Sequence, residues 1–128
     1  MPAEPESKPA RFEVTLDEER QIVRQRVDGH LDMETFGQLE TATEACAARL
    51  RNPQRVRILV NAPALGRADG QTRRAMAATL KRPTLARLAV YDTSPFGRVM
   101  LRFMSIFAGV DKARGFATEA EAIAWLVS

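Results

Sequence analysis

The stretch RLAVYDTSPFGRVMLRFMSIFAG, residues 87–109, contains two consecutive elements of regular structure and the junction between them. Its first part is continuously apolar from Leu88 to Val90, which is typical of a strand covered on both faces. Ser94 then offers a helix N-cap, and Pro95 suits the first helical turn. A buried strand followed directly by an apolar helix is typical of α/β proteins with a parallel sheet.

The same alternation precedes this stretch. The sequence RVRILVN, residues 55–61, is apolar without a period of two and predicts a second buried strand. We expect a loop over APALGRA, residues 62–68, and then a helix over about residues 70–82 that Asp69 caps and Pro83 ends.

The alternation also continues after the opening stretch. KARGF, residues 112–116, predicts a short strand. Thr118 and Glu121 then stand three residues apart before an apolar run, which is the pattern of a capping box at the start of a helix.

The chain before residue 55 begins differently. In RFEVTLD, residues 11–17, apolar and polar residues alternate, and IVRQRVDG, residues 22–29, does the same over most of its length, so the two predict a β-hairpin. From Asp32, a predicted N-cap, the apolar residues recur at helical spacing until Asn52. Glu34, Glu40 and Glu44 are expected on the exposed side of this helix.

These elements predict one α/β domain over residues 11–128, in the order β-β-α-β-α-β-α-β-α, after a flexible tail over residues 1–10. The central sheet should be mostly parallel, because strands joined by helices run in the same direction. The first hairpin should form an antiparallel edge, and helices should cover both faces.

Composition supports an ordinary globular chain. Of 128 residues, 45% are hydrophobic and 27% are charged, and no apolar run approaches the roughly 20 residues of a membrane span. The start of the chain lacks the apolar segment of a secretory signal, so we expect a cytoplasmic protein.

Charge is unevenly distributed along the chain. Residues 1–48 carry five basic and eleven acidic side chains, whereas residues 49–114 carry fourteen basic and three acidic ones. Aromatic residues do not alternate with the arginines as a nucleic-acid stacking surface requires, so we expect no specific nucleic-acid partner.

Four segments together resemble a known family: VDGHLDMETF, RILVNAPAL, RLAVYDTSP and, above all, RGFATEAEAIAWL. They are similar to the SpoIIAA-like group of STAS domains, also described as STAS/Sec14-like. The resemblance implies a bacterial, non-enzymatic module for regulation or ligand binding. This sequence departs from the phosphorylation-switched members, because no hydroxyl residue lies between Asn61 and Asp69.

The helix within residues 95–109 has more apolar surface than a helix needs to cover a sheet. The second helix is rich in alanine and threonine and is a poor cover for the surplus. We therefore expect this surface to pack in part on the sheet and otherwise to bind a partner chain, including a second copy, or an apolar, lipid-like small ligand. The predicted binding residues are Phe96, Met100, Phe103, Met104 and Phe107, with Arg98 and Arg102 at the rim.

A second candidate site is a cluster of arginines near the start of the second helix, Arg67, Arg73 and Arg74. Helix N-termini attract anions, so the alternative hypothesis is a small enzyme or a binder of anionic small molecules. Catalytic machinery is not evident, however. His30 is predicted in a turn and Cys46 on the apolar side of the first helix, and a single residue of each type leaves no metal-ligand cluster. We expect no catalytic residues, metal or cofactor.

Overall fold

The computed structural model describes residues 10–128 apart from the side chain of Phe107, so the tail predicted for residues 1–10 lies almost wholly outside the described residues. The centre of the molecule is a six-stranded sheet. In chain order its strands are β1 (Arg11–Asp17), β2 (Ile22–Leu31), β3 (Val56–Asn61), β4 (Leu65–Ala68), β5 (Leu85–Tyr91) and β6 (Ala113–Phe116).

The sheet has the strand order β1-β2-β3-β5-β6, and β4 pairs with β2. Only the pairing of β1 with β2 is antiparallel, and the other pairings within the described residues are parallel. The predicted α/β fold, with a mostly parallel sheet and an antiparallel edge hairpin, is therefore confirmed.

Helices cover both faces of the sheet, as predicted. Three of them lie on one face, and the fourth, α4, packs on the other face against β3, β5 and β6. The helices of the described residues are α1 (Met33–Ala47), α2 (Gly70–Thr79), α3 (Pro95–Ala108) and α4 (Glu119–Leu126).

Each helix begins at the N-cap that the sequence predicts. In each case a side-chain oxygen accepts a hydrogen bond from a backbone N–H of the first turn, which would otherwise lack a partner. Ser94 also donates a hydrogen bond from its hydroxyl to the carbonyl of Leu65 at 2.7 Å, and so joins the start of α3 to β4. The four capping hydrogen bonds run from the backbone N–H of Thr35 to Asp32 (2.8 Å), of Thr72 to Asp69 (2.8 Å), of Gly97 to Ser94 (3.0 Å) and of Glu121 to Thr118 (3.2 Å).

The prediction of a loop over residues 62–68 is wrong in part, because β4 occupies Leu65–Ala68. The strand is only four residues long and contains Gly66, so it has no alternation to detect. It forms because β2 continues beyond the end of β3 and offers a free edge to residues 65–68. Gly29, with a φ of 89°, marks the point in β2 where the register shifts. His30 follows in β2 rather than in a turn.

Three clusters of buried residues form the core. Two lie under α1, α2 and α3, and the partly buried residues Val14, Val60, Met76 and Phe96 pack against both. The third lies under α4 and is built around Leu59, Ala89 and Leu126. No helix among the described residues has the length and apolar character needed to cross a bilayer.

Candidate ligand-binding site

Helix α3 has two unlike sides. Met100 and Met104 are turned toward the sheet and are 3% and 8% exposed. Val99 and Ile106 lie on the outward side and are 67% and 74% exposed, and Phe103 beside them is 38% exposed. The surplus apolar surface inferred from the sequence is therefore divided between the interior and the solvent.

The predicted binding residues whose side chains the structure describes do not form one surface. Met100 and Met104 lie inside, Phe96 is partly buried between the two clusters, and Phe103 lies at the outer side. Arg98 and Arg102 are exposed along one flank of the same helix. The side chain of Phe107 lies outside the described residues.

A cavity of about 160 Å³ lies between the sheet and the layer formed by α1, α2 and α3. Its floor consists of neighbouring residues on β2, β3 and β5, where Gln25 pairs with Val60 and Val60 pairs with Val90. Met76 of α2 and Met100 of α3 also line it. The cavity explains why Val60 is only partly buried, although it stands on a central strand under the helices.

The walls of the cavity are mainly apolar and come from α1, α2, α3 and β4 as well as from the floor strands. Apolar cavities of about this size admit a ligand the size of benzene. An empty one also forfeits packing on the order of 4 kcal/mol. Among the apolar lining residues are Val27, Leu31, Phe36, Leu39, Ile58, Val60, Leu65, Met76, Leu88, Val90, Met100, Leu101 and Met104.

The cavity meets solvent at one end. Of its lining residues only Glu44 and Arg82 are exposed, and both stand where the C-terminal part of α1 approaches the end of α2. The guanidinium of Arg82 bridges two carboxylates of α1, at 2.5 Å from Glu40 Oε2 and 3.3 Å from Glu44 Oε1. We call this open end of the cavity, where Glu40, Glu44 and Arg82 are ion-paired, the mouth.

Polar groups gather just inside the mouth. The Gln25 amide donates to Thr43 Oγ1 at 2.9 Å, and the Thr43 hydroxyl donates to the carbonyl of Leu39 at 2.7 Å. The side chain of Glu40 is 24% exposed, and its burial raises the pKa of its carboxyl, although the nearby charge of Arg82 opposes that rise. The cavity therefore has an apolar body and one polar end.

Sequence reasoning missed this polar end. Glu40 was expected on the exposed side of the first helix, but it lies at the boundary of that side and turns toward α2. A signal existed for Gln25, because alternation places it between Val23 and Val27 on the buried side of β2. No comparable signal marks Arg82, which reaches α1 only through the packing of the two helices.

The arginines of the second candidate site lie near the start of α2. A Cβ atom added to Gly70 would be 3.7 Å from Arg73 Nη2 and 3.9 Å from Arg74 Nη2, so both guanidinium groups fold back toward the helix start. Asp69 already occupies that helix end, and its hydrogen bond from the Thr72 N–H lowers the pKa of its carboxyl. Arg67 is exposed on the neighbouring β4.

Residues that could hold a metal do not come together. Within residues 10–128 no group of three or more histidine, cysteine, aspartate or glutamate side chains could hold an ion. Cys46 packs partly buried against the core under α1.

One mixed sheet with helices on both faces and an antiparallel first hairpin is the SpoIIAA-like fold, as the sequence resemblance implies. The chain is similar to a solved structure described as an uncharacterized protein from the DUF3478 family with a SpoIIAA-like fold, from Shewanella loihica PV-4. The two are 16% identical, and the match covers 91% of this chain and 93% of the other, with a TM-score of 0.66. No family model and no curated protein matches the sequence.

Proposed function

We propose that this protein is a non-catalytic binding module that holds a small apolar ligand between its sheet and the layer of α1, α2 and α3. The observation that carries the proposal is the cavity of about 160 Å³ facing Val60 and Met76. A natural protein rarely keeps an empty cavity of this size, because the lost packing is a large part of its net stability. A ligand that fills it would recover that packing.

The proposed ligand contacts the inner side of α3. Met100 and Met104, two of the residues predicted from the sequence, then contact the ligand, and their flexible side chains suit an adaptable wall. Phe103, Arg98 and Arg102 take no part in this site.

The test is titration of the purified protein with a neutral apolar probe of one ring, such as toluene, followed by the methionine methyl resonances. We expect saturable binding that shifts the methyls of Met76, Met100 and Met104, which line the cavity. Met33 is exposed and does not line the cavity, so its methyl serves as the internal control. If toluene shifts no cavity methyl up to its solubility limit, the proposal is wrong.

The outer side of α3 supports a second candidate function, association with a second copy of this chain. Val99 and Ile106 are well exposed and are bordered by Arg98 and Arg102. The start of α1 carries the complementary features, with Met33 38% exposed and Glu34 in the first turn. A contact between α3 of one copy and α1 of another pairs apolar with apolar groups and basic with acidic groups.

We expect a weak, salt-sensitive association in sedimentation equilibrium. The double substitution Val99→Ser and Ile106→Ser should weaken it by about tenfold, because it removes the exposed apolar contact. Val127→Ser, at a 49% exposed residue of the C-terminal end, is the matched control and should leave association unchanged. A chain that stays monomeric at every concentration and salt level contradicts this candidate.

The alternative inferred from the sequence, a small enzyme or a binder of anionic small molecules at Arg67, Arg73 and Arg74, has weaker support. The Asp69 carboxylate already accepts a hydrogen bond at the helix end where an anion would need to bind. Its negative charge also repels an anion from the two guanidinium groups.

A further inference from the structure

Among the residues that line the polar end of the cavity, negative charge exceeds positive charge. The ionisable lining groups are the carboxylates of Glu40 and Glu44 and the guanidinium of Arg82, which lies between them. The Lys112 ammonium lies outside the lining, on the carbonyl of Arg82 at 3.0 Å. Two hydroxyl groups in the lining at this end, those of Thr43 and Thr79, donate to the carbonyls of Leu39 and Ala75 in their own helices. This end has an excess of hydrogen-bond acceptors, because ionised carboxylates have several lone pairs and no proton to donate.

The two ends of the cavity therefore impose different demands on one ligand. The apolar body, around Val60, Val90 and Met100, accepts only hydrocarbon without cost. At the mouth, an anionic group would face Glu40 and would compete with two carboxylates for Arg82. A cationic group would be attracted instead, because it adds a positive charge beside two negative ones.

We infer that the ligand is a small apolar amine, an alkyl or aryl chain of about six carbons whose ammonium group lies at the mouth beside Glu40. This inference rests on the proposed function and specifies the ligand of the same cavity. The ammonium would donate to Glu40 while Arg82 keeps its contact with Glu44. It would also offset the burial of the Glu40 carboxylate.

The test compares three probes that differ only in the polar group, hexylamine, 1-hexanol and hexanoate, by calorimetric titration of the full chain at about pH 8, above the usual carboxyl range. We expect hexylamine to bind about tenfold more tightly than hexanol, because a partly buried charged pair outweighs a neutral hydrogen bond. Hexanoate should bind more weakly than hexanol.

Two variants separate the carboxylate from general charge. Glu40→Gln preserves the shape of the side chain and should bring the affinities for hexylamine and hexanol to within about threefold of each other. Glu34→Gln removes the same charge from the exposed first turn of α1, outside the lining, and should retain the preference for the amine. Thermal unfolding of both variants confirms that they remain folded.

The outcomes distinguish the two proposals. Binding of hexanol without a preference for hexylamine, or tighter binding of hexanoate, overturns the amine inference and leaves the apolar site standing. Retention of the amine preference in Glu40→Gln also overturns it. If none of the three probes binds, both the inference and the proposed function are wrong.

Discussion

Val60→Phe should abolish binding of an apolar probe and, at the same time, stabilise the protein without ligand. Val60 stands at the centre of the cavity floor, between Gln25 and Val90. A phenyl ring at this position would occupy space that the ligand needs and would supply part of the missing packing. Substitutions that fill cavities commonly add about 0.5 to 2 kcal/mol to the free energy of unfolding.

The measurement combines the toluene titration with chemical denaturation. We expect loss of probe binding together with a higher denaturation midpoint, because the phenyl ring fills the volume that the probe would occupy. Val127→Phe makes the same chemical change at an exposed residue outside the cavity and should leave binding unchanged. Val60→Leu adds less volume and serves as a second variant in case the phenyl ring is too large. Overpacking of a core typically costs about 1 to 3 kcal/mol of stability.

A loss of stability in both Val60 variants would show that the space facing this residue is already filled by protein. The cavity would then be too small for the proposed ligand. Unchanged toluene affinity in a stabilised variant would also contradict the assignment of the site, because the probe would then bind elsewhere.

Leu126→Ala should have the largest effect on stability and little effect on ligand binding. Leu126 is fully buried and joins α4 to the core cluster under the face of the sheet opposite the cavity. Helix α4 has only eight residues, and a helix of that length depends on packing rather than on its own hydrogen bonds. Deleting a buried leucine side chain costs roughly 3 kcal/mol.

Denaturant unfolding measures this loss, and probe titration of the folded variant measures the second part of the prediction. We expect the toluene affinity to stay within about threefold of that of the parent, because the sheet separates Leu126 from the cavity. Val127→Ala is the neighbouring control and should lose much less stability, since Val127 is half exposed. A loss below about 1 kcal/mol for Leu126→Ala would contradict the role of α4 packing.

The two faces of the sheet are covered differently. Around Leu59 and Ala89 the sheet meets Ala122 and Leu126 of one short helix, and the small alanines allow a close approach. On the opposite face three helices share the sheet, and near the mouth Arg82, three residues after α2, is joined to α1 by ion pairs with Glu40 and Glu44. The cavity lies on this face, between the sheet and the three helices.

Local signals in the sequence were sufficient for most of the architecture. N-caps at Asp32, Asp69, Ser94 and Thr118 are short-range patterns, because a cap needs only a side-chain oxygen and an N–H about three residues away. The order of strands and helices follows likewise from hydrophobic period, and with it the α/β fold. Among the strands only β4 was not predicted. It pairs with the part of β2 that extends beyond β3, and that edge is defined only by the pairing of β2 with β3.

The sequence by itself determined that α3 carries more apolar surface than one sheet can cover, because that excess is a property of one helix and its period. Only the tertiary structure decided how the excess is used. Met100 and Met104 line a cavity, whereas Val99 and Ile106 lie outside. A cavity is the volume left between elements distant in the chain, and its polar end combines Gln25 of β2, Glu40 of α1 and Arg82 from the segment after α2. No local pattern encodes a distance between such residues.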